Sequence, residues 1–430
     1  MTQKLLMVAY HFPPLVGSSG VHRSLNFARD LPGHGWQPMV LSAHPRSYPA
    51  TSEETLRQLP AELQVVRAFA LDAARHLSIQ GKYPDFLSRP DRYTSWLLGA
   101  IPAGLALIRK ERPNAIWSTY PIPSAHLIGL MLSRISGLPW IADFRDPMAH
   151  QGYPQDPVLW QSYLKVEQKV FSKASRMVFT TEGAARLYRE RYPERAADVH
   201  VIPNGYDEQA FDRASQGAPR SLPAQRPWTL LHSGIVYPEW RNPSALFAAV
   251  RALLDAGELR ADQLNICFRA PVHEAWLQSL VDQHGLGGIV SILPAVSYEE
   301  ALREMQAADA LLALQSDDCG DQVPAKAYEY IRAGRPILGL AHPETDTGRL
   351  LLSAAMGPVC GLTDPTPIVS GLQAMLQAHH SGQSPTPNAQ LVKASSRQAG
   401  TASLARLLDD LTAHAVSQRA IKTSRSTQHL

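Results

Sequence analysis

The sequence predicts an α/β protein built from two doubly wound domains. Short runs rich in Val, Ile and Leu alternate with longer helical patterns along the whole chain, as parallel strands with helical crossovers require. The alternation breaks across residues 205–227, GYDEQAFDRASQGAPRSLPAQRP, where Pro, Gly, Ser and charge are dense, and then restarts. A length of 430 residues also exceeds one ordinary core and suits two.

In the first domain, residues 1–204, strands are predicted at 5–9, 38–41, 65–68, 115–118, 140–142, 177–180 and 199–202, with helical patterns at 24–33, 126–136 and 157–174. The thirteen-residue apolar run WLLGAIPAGLALI, 96–108, is too short to span a membrane and ends in Arg109-Lys110-Glu111-Arg112. It reads as a core-facing helix with a charged last turn, or as a surface helix that touches a membrane. The second domain, 205–400, begins with the break as a linker and has predicted strands at 228–234, 264–268, 289–293, 310–315 and 336–340. A helix is expected at 401–416 and a disordered tail at 417–430.

Composition narrows the function. Apolar residues make up 45%, and 41 Lys and Arg stand against 38 Asp and Glu, a balance that gives no reason to expect nucleic acid as a partner. Cys267, Cys319 and Cys360 are odd in number, far apart and in no zinc-ligand spacing, which fits reduced thiols in the cytoplasm. The first residues lack the apolar core and cleavage site of a secretory signal.

Ligands of open α/β sheets bind beyond the carboxyl ends of the strands. After the first strand the chain reads AYHFPPLVGSSGVHR, and Gly17-Ser18-Ser19-Gly20 can bring backbone amides up to an anion, or form a tight turn with no ligand. After the strand at 140–142 stand Asp143, Phe144, Arg145, Asp146 and Pro147, either a polar claw for a ligand or a structural ion pair. Val201-Ile202-Pro203-Asn204-Gly205 marks a boundary turn. The second domain opens with His232-Ser233-Gly234, and Arg241 offers a fork suited to phosphate. The densest group is DQVPAKAYEYIRAGRP from Asp321: Pro324 starts a helix and Gly334 ends it, and Lys326 and Glu329 share a face. Such a helix start can grip phosphate, with the carboxylates on sugar hydroxyls; a surface Lys–Glu pair is the alternative.

Taken in order, the Gly-Ser-Ser-Gly turn, Asp143 to Pro147, Val201 to Gly205, and the carboxylate-x7-Glu motif followed by Ala333-Gly334-Arg335-Pro336 resemble the GT-B glycosyltransferases. More narrowly they resemble the retaining family 4 enzymes of bacterial surface polysaccharide synthesis. That resemblance implies two Rossmann-like domains facing across a cleft, with the C-terminal helix packed back on the first. It implies Asp143, Arg145, Asp146 and Asp321 as catalytic, and Gly17, Ser18, Ser19, Gly20, Gly234, Arg241, Lys326 and Glu329 as donor-binding, with His22 and Arg23 closing on the turn. It further implies a UDP- or GDP-sugar as substrate, no metal and no cofactor, a glycan or polyprenyl-linked acceptor, no nucleic acid, and peripheral contact with the inner membrane from the cytoplasm. The chain departs from the family in having Asp321 where Glu is usual, Arg145 where His is usual, and Arg241 in place of an Arg and Lys pair. A nucleotide-sugar 2-epimerase and an inactive sugar-nucleotide binding protein are the alternatives.

Overall fold

The structure is a computed structural model that describes residues 2–80, 82–150, 152–216 and 226–427. The chain divides into two compact units, Met1–Pro203 with Gln398–Leu430, and Asn204–Arg397.

The first unit holds seven strands: β1 (Gln3–Val8), β2 (Trp36–Ala43), β3 (Gln64–Ala68), β4 (Ala115–Thr119), β5 (Trp140–Arg145), β6 (Arg176–Phe179) and β7 (Val199–Val201). They form one parallel sheet in the order β3-β2-β1-β4-β5-β6-β7, which reverses direction between β1 and β4. Alternation along β1 sends Leu6 and Val8 to one core and Leu5 and Met7 to the other. Each fully buried side chain of this size contributes about 1.5–3 kcal/mol.

The helix Trp96–Glu111 turns Trp96, Ala100, Gly104 and Leu107 inward. A Cβ on Gly104 would lie 2.7 Å from a methyl of Leu132, so glycine lets the helix seat closely. Most of the apolar run therefore faces the core, and Leu98 is its one large side chain that stands well out, 76% exposed.

The helix Arg397–Thr427 returns to this unit. Leu404, Ala405, Leu408 and Leu411 join the core that holds Leu5, Met7 and Trp36, and the Trp36 indole donates to Asp409 at 2.9 Å. Residues 417–427, read from sequence as a tail, continue this helix, and 428–430 lie outside the described residues.

The second unit holds β8 (Trp228–Ser233), β9 (Leu264–Arg269), β10 (Val290–Leu293), β11 (Ala310–Leu314), β12 (Ile337–Leu340) and β13 (Val359–Cys360), parallel in the order β10-β9-β8-β11-β12-β13. The reversal falls between β8 and β11, matching β1 and β4 of the first unit.

Two expectations change. The break at 205–227 is not all linker: Glu208–Ser215 is a helix whose Ala210, Phe211 and Ala214 are buried, while 217–225 lie outside the described residues. Spacing of one and then three residues gives these apolar positions one helical face, which the surrounding charge masks in sequence. The strand at 140–142 runs on to Arg145, so Asp143 and Phe144 lie within the sheet, both fully buried, and not beyond it.

Candidate functional site

The second unit gathers its polar groups where β8 and β11 part. At the end of β8 the Ser233 amide donates to the Tyr330 hydroxyl at 2.8 Å, and His232 Nδ1 pairs with the Leu312 carbonyl at 2.9 Å. Burial lowers the His232 pKa to about 4, so the ring is neutral near pH 7. Gly234 follows at φ +144, and a Cβ there would lie 3.9 Å from Lys326 Cγ, which places the β8 turn directly against that lysine.

Arg241 closes the same loop. Its Nη1 donates to the Ile235 carbonyl at 3.1 Å, and its guanidinium lies 5.5 Å from the Tyr237 ring centre. Burial pulls its pKa down, and the groups raising it again are Tyr237, Tyr330 and Cys319 and no carboxylate. It forms no ion pair among the described residues, unlike most arginines of this chain. The Ser316 amide donates to the Trp240 carbonyl at 2.9 Å, tying the loop after β11 to the loop that carries Arg241.

Helix Ala325–Ala333 begins here. Pro324 is its N-cap and makes no side-chain cap hydrogen bond, and Gly334 ends it in a left-handed cap at φ +70. The three-residue spacing brings Lys326 Nζ within 2.8 Å of Glu329 Oε2. The ammonium sits on Oε2 as an ion pair, and the buried Oε2 has no other hydrogen-bond partner in the structure. Oε1 accepts from the Tyr298 hydroxyl at 2.8 Å. Glu329 is only 3% exposed, and burial pushes its pKa up, but Lys326, Arg397 and Tyr298 together hold it below the ordinary carboxylate range. It is thus a buried, ionised carboxylate with accepting capacity to spare. Asp321 is exposed in the loop ahead of the helix, as are Asp317 and Asp318.

The first unit places its groups around the start of helix Ser19–Asp30. Gly17 takes φ +81, and the Ser18 hydroxyl caps the helix by accepting from the Gly20 amide at 3.2 Å while lying 2.7 Å from His11 Nδ1. Ser19 is the first helical residue. A Cβ on Gly20 would fall 2.5 Å from Arg145 Nη1 and 2.9 Å from His11 Nδ1, so only glycine admits those two side chains. Burial, with Arg145 second, brings the His11 pKa down to about 4.

The segment from Asp143 to Asp146 separates by role. Arg145 ends β5 at φ +64, with Nη1 donating to the Tyr120 carbonyl at 3.3 Å. Burial lowers its pKa, opposed by Asp146 and Asp143. Asp146 is half-buried beyond the strand. Asp143 is committed: Arg23 grips it from Nε at 3.0 Å and Nη2 at 2.8 Å, and the Thr119 hydroxyl donates at 2.8 Å. This carboxylate is a structural anchor where the sequence suggested a group facing the reacting centre, and Arg23 is its partner.

Gly234, Arg241, Lys326 and Glu329, expected at one site, lie in the second unit, and Gly20 lies against Arg145 in the first. Sequence reasoning missed Tyr298, Tyr330, His11 and Tyr120. Tyr298 reaches Glu329 from 31 positions away, which no local spacing reveals, while Tyr330 stands beside Glu329 and meets the end of β8, 97 positions earlier.

A family model described as a glycosyl transferase 4-like domain matches residues 19–205. The D-inositol 3-phosphate glycosyltransferase of Streptosporangium roseum is 28% identical over 209 residues, 43% of this chain and 48% of that protein. The match thus spans about half the length of this curated relative. Among solved structures, Anabaena HepE in complex with UDP is similar with a TM-score of 0.59 at 12% identity, covering 97% of this chain and 100% of that one. The α,α-trehalose 6-phosphate synthase of Burkholderia multivorans gives 0.61 at 11%, covering 96% and 100%. At these identities the likeness is one of fold, the two-domain α/β arrangement called GT-B.

Arg23→Ala leaves the Asp143 charge buried and unpaired, and is expected to lower stability by about 3–5 kcal/mol. The double variant Arg23→Met/Asp143→Leu is expected to lose less. Chemical denaturation checks both, and equal losses would contradict the anchoring role.

Proposed function

We propose that this chain, whose residues 19–205 match the model of a glycosyl transferase 4-like domain, transfers a sugar from a UDP- or GDP-sugar to a hydroxyl of a glycan or lipid-linked acceptor. The observation that carries the reading is the start of helix Ala325–Ala333, with no side-chain cap, a lysine in its first turn and a buried ionised glutamate one turn on. Helix amides with Lys326 and Arg241 suit a diphosphate, since both the helix dipole and the two cations favour negative charge. Glu329 Oε2 suits a ribose hydroxyl, which can donate to it. That HepE was solved with UDP supports the assignment.

In the proposed reaction the bond from the sugar's anomeric carbon to the diphosphate breaks, and charge gathers on the leaving phosphate. Lys326, Arg241 and the helix start are poised to meet that charge, the kind of electrostatic stabilisation that lowers such barriers most. The acceptor oxygen bonds to the anomeric carbon on the face the diphosphate leaves, and its proton passes to the leaving phosphate. Configuration is retained and no metal is required. Asp321 is assigned to hydroxyls of the transferred sugar. Gly17 to Gly20, His11, Arg145 and Asp146 are assigned to the acceptor side, within synthesis of a surface polysaccharide.

A lipid-linked acceptor calls for contact with a membrane. No described helix is long and apolar enough to cross one. The surface that fits peripheral contact is Leu98 at 76% exposure and Phe69 at 45%, whose backbone packs against Gly99.

UDP or GDP, or one of their sugars, is expected to raise the melting temperature. At 100 times the dissociation constant the gain is about 2.7 kcal/mol, and Lys326→Ala should weaken binding by about tenfold or more. Thermal-shift titration decides, and no response to any of these ligands would contradict the reading. The protein is also expected to float with vesicles rich in phosphatidylglycerol and Leu98→Glu to float less, whereas no vesicle binding would remove the membrane from the account.

A further inference from the structure

We infer that Tyr298 is the positioning residue of the nucleotide site, fixing Glu329 and Lys326 together so that the second glutamate oxygen is presented to a ribose hydroxyl. The inference rests on the donor-site reading above and adds to it a residue with no place in the motif.

Tyr298 opens the helix Tyr298–Ala307, whose start is set by Ser297, its hydroxyl accepting from the Glu300 amide at 3.2 Å. From there one side chain reaches both members of the ion pair. Its hydroxyl donates to Glu329 Oε1 at 2.8 Å, and its ring centre lies 5.6 Å from Lys326 Nζ. Burial, with the Glu329 charge second, holds the phenol far above its ordinary pKa, so it stays protonated and can only donate to the carboxylate. With Oε1 taken by the phenol and Oε2 facing only the Lys326 ammonium, Oε2 is the oxygen with a lone pair left to accept from a ligand.

The charged and titratable groups facing Glu329 are Lys326 from its own helix, Arg397 from the last helix and Tyr298 from the neighbouring one, with Tyr330 next in the chain and Asp207 acting on Tyr298. Removing the Tyr298 hydroxyl deletes a neutral donor from the ionised form. The Glu329 pKa then rises, because burial opposes ionisation and one of its counterweights is gone. The sign follows: nucleotide affinity that needs ionised Glu329 is complete well above its pKa and falls as the pH drops through it. Tyr298→Phe moves that fall to higher pH.

The test is calorimetric titration of UDP from pH 4 to 8 into the wild type, Tyr298→Phe, Glu329→Gln and the double variant. Titration of the UDP phosphate is common to all four and cancels in their ratios. Tyr298→Phe is expected to weaken UDP by about threefold at pH 8, with a loss that grows as the pH falls toward the carboxylate range, in keeping with hydrogen bonds to charged groups. In the Glu329→Gln background the added loss should be less than about twofold. Unligated melting temperatures within a few degrees of wild type establish that the variants fold. A wild-type to Tyr298→Phe ratio that is flat with pH, or the same loss with and without Glu329, overturns the inference. A wild type that binds no nucleotide overturns the donor site itself, and this assignment with it.

Discussion

A carboxylate kept ionised while buried is the constraint around which the second unit's polar edge is organised. Desolvation alone would neutralise Glu329, and a neutral acid would have a proton where a ribose hydroxyl needs an acceptor. Lys326 and Arg397 supply opposing charge, and Tyr298 supplies a donor that cannot ionise first. Each requires its own backbone: a helix started by Pro324 and stopped by Gly334, a second helix capped by Ser297, and a turn at Gly234 open enough to let the lysine pass. The arrangement falls at the point where the strand order reverses, the one place in an open parallel sheet where neighbouring loops separate and leave room for a ligand.

The first unit meets the same problem in another way. Asp143 lies within the central strand β5 and is fully buried, but Arg23 and Thr119 donate three hydrogen bonds to its two oxygens. Glu329 receives one hydrogen bond from Tyr298 and one ion pair from Lys326. The difference in unused accepting capacity separates a carboxylate that holds a fold from one able to hold a ligand. Around Gly20 a missing side chain admits Arg145 and His11 instead.

Much of this was legible in the sequence. The strands of both sheets follow from apolar runs because parallel strands are buried on both faces, and the helix at 325–333 follows from its proline and glycine. The two-residue β13 carries too little pattern to see. Asp143 misled because charge normally marks the end of a buried strand, and its neutralising partner lies 120 positions earlier. Helix Glu208–Ser215 was hidden by charge that faces outward, including Glu208 paired with Arg332. Tyr298 was out of reach for the same reason as Arg23, since pairing across a fold leaves no trace in local spacing.

The central claim is that the nucleotide of a sugar donor sits on the helix start at 325–333 and the loop at 234–241. Hydrogen exchange followed by mass spectrometry, with and without saturating UDP, tests it most directly. The account predicts slowed exchange in peptides covering 234–241 and 324–333 and unchanged exchange in peptides covering 17–30. Protection confined to 17–30, or absent from 324–333 while UDP is bound, would contradict it.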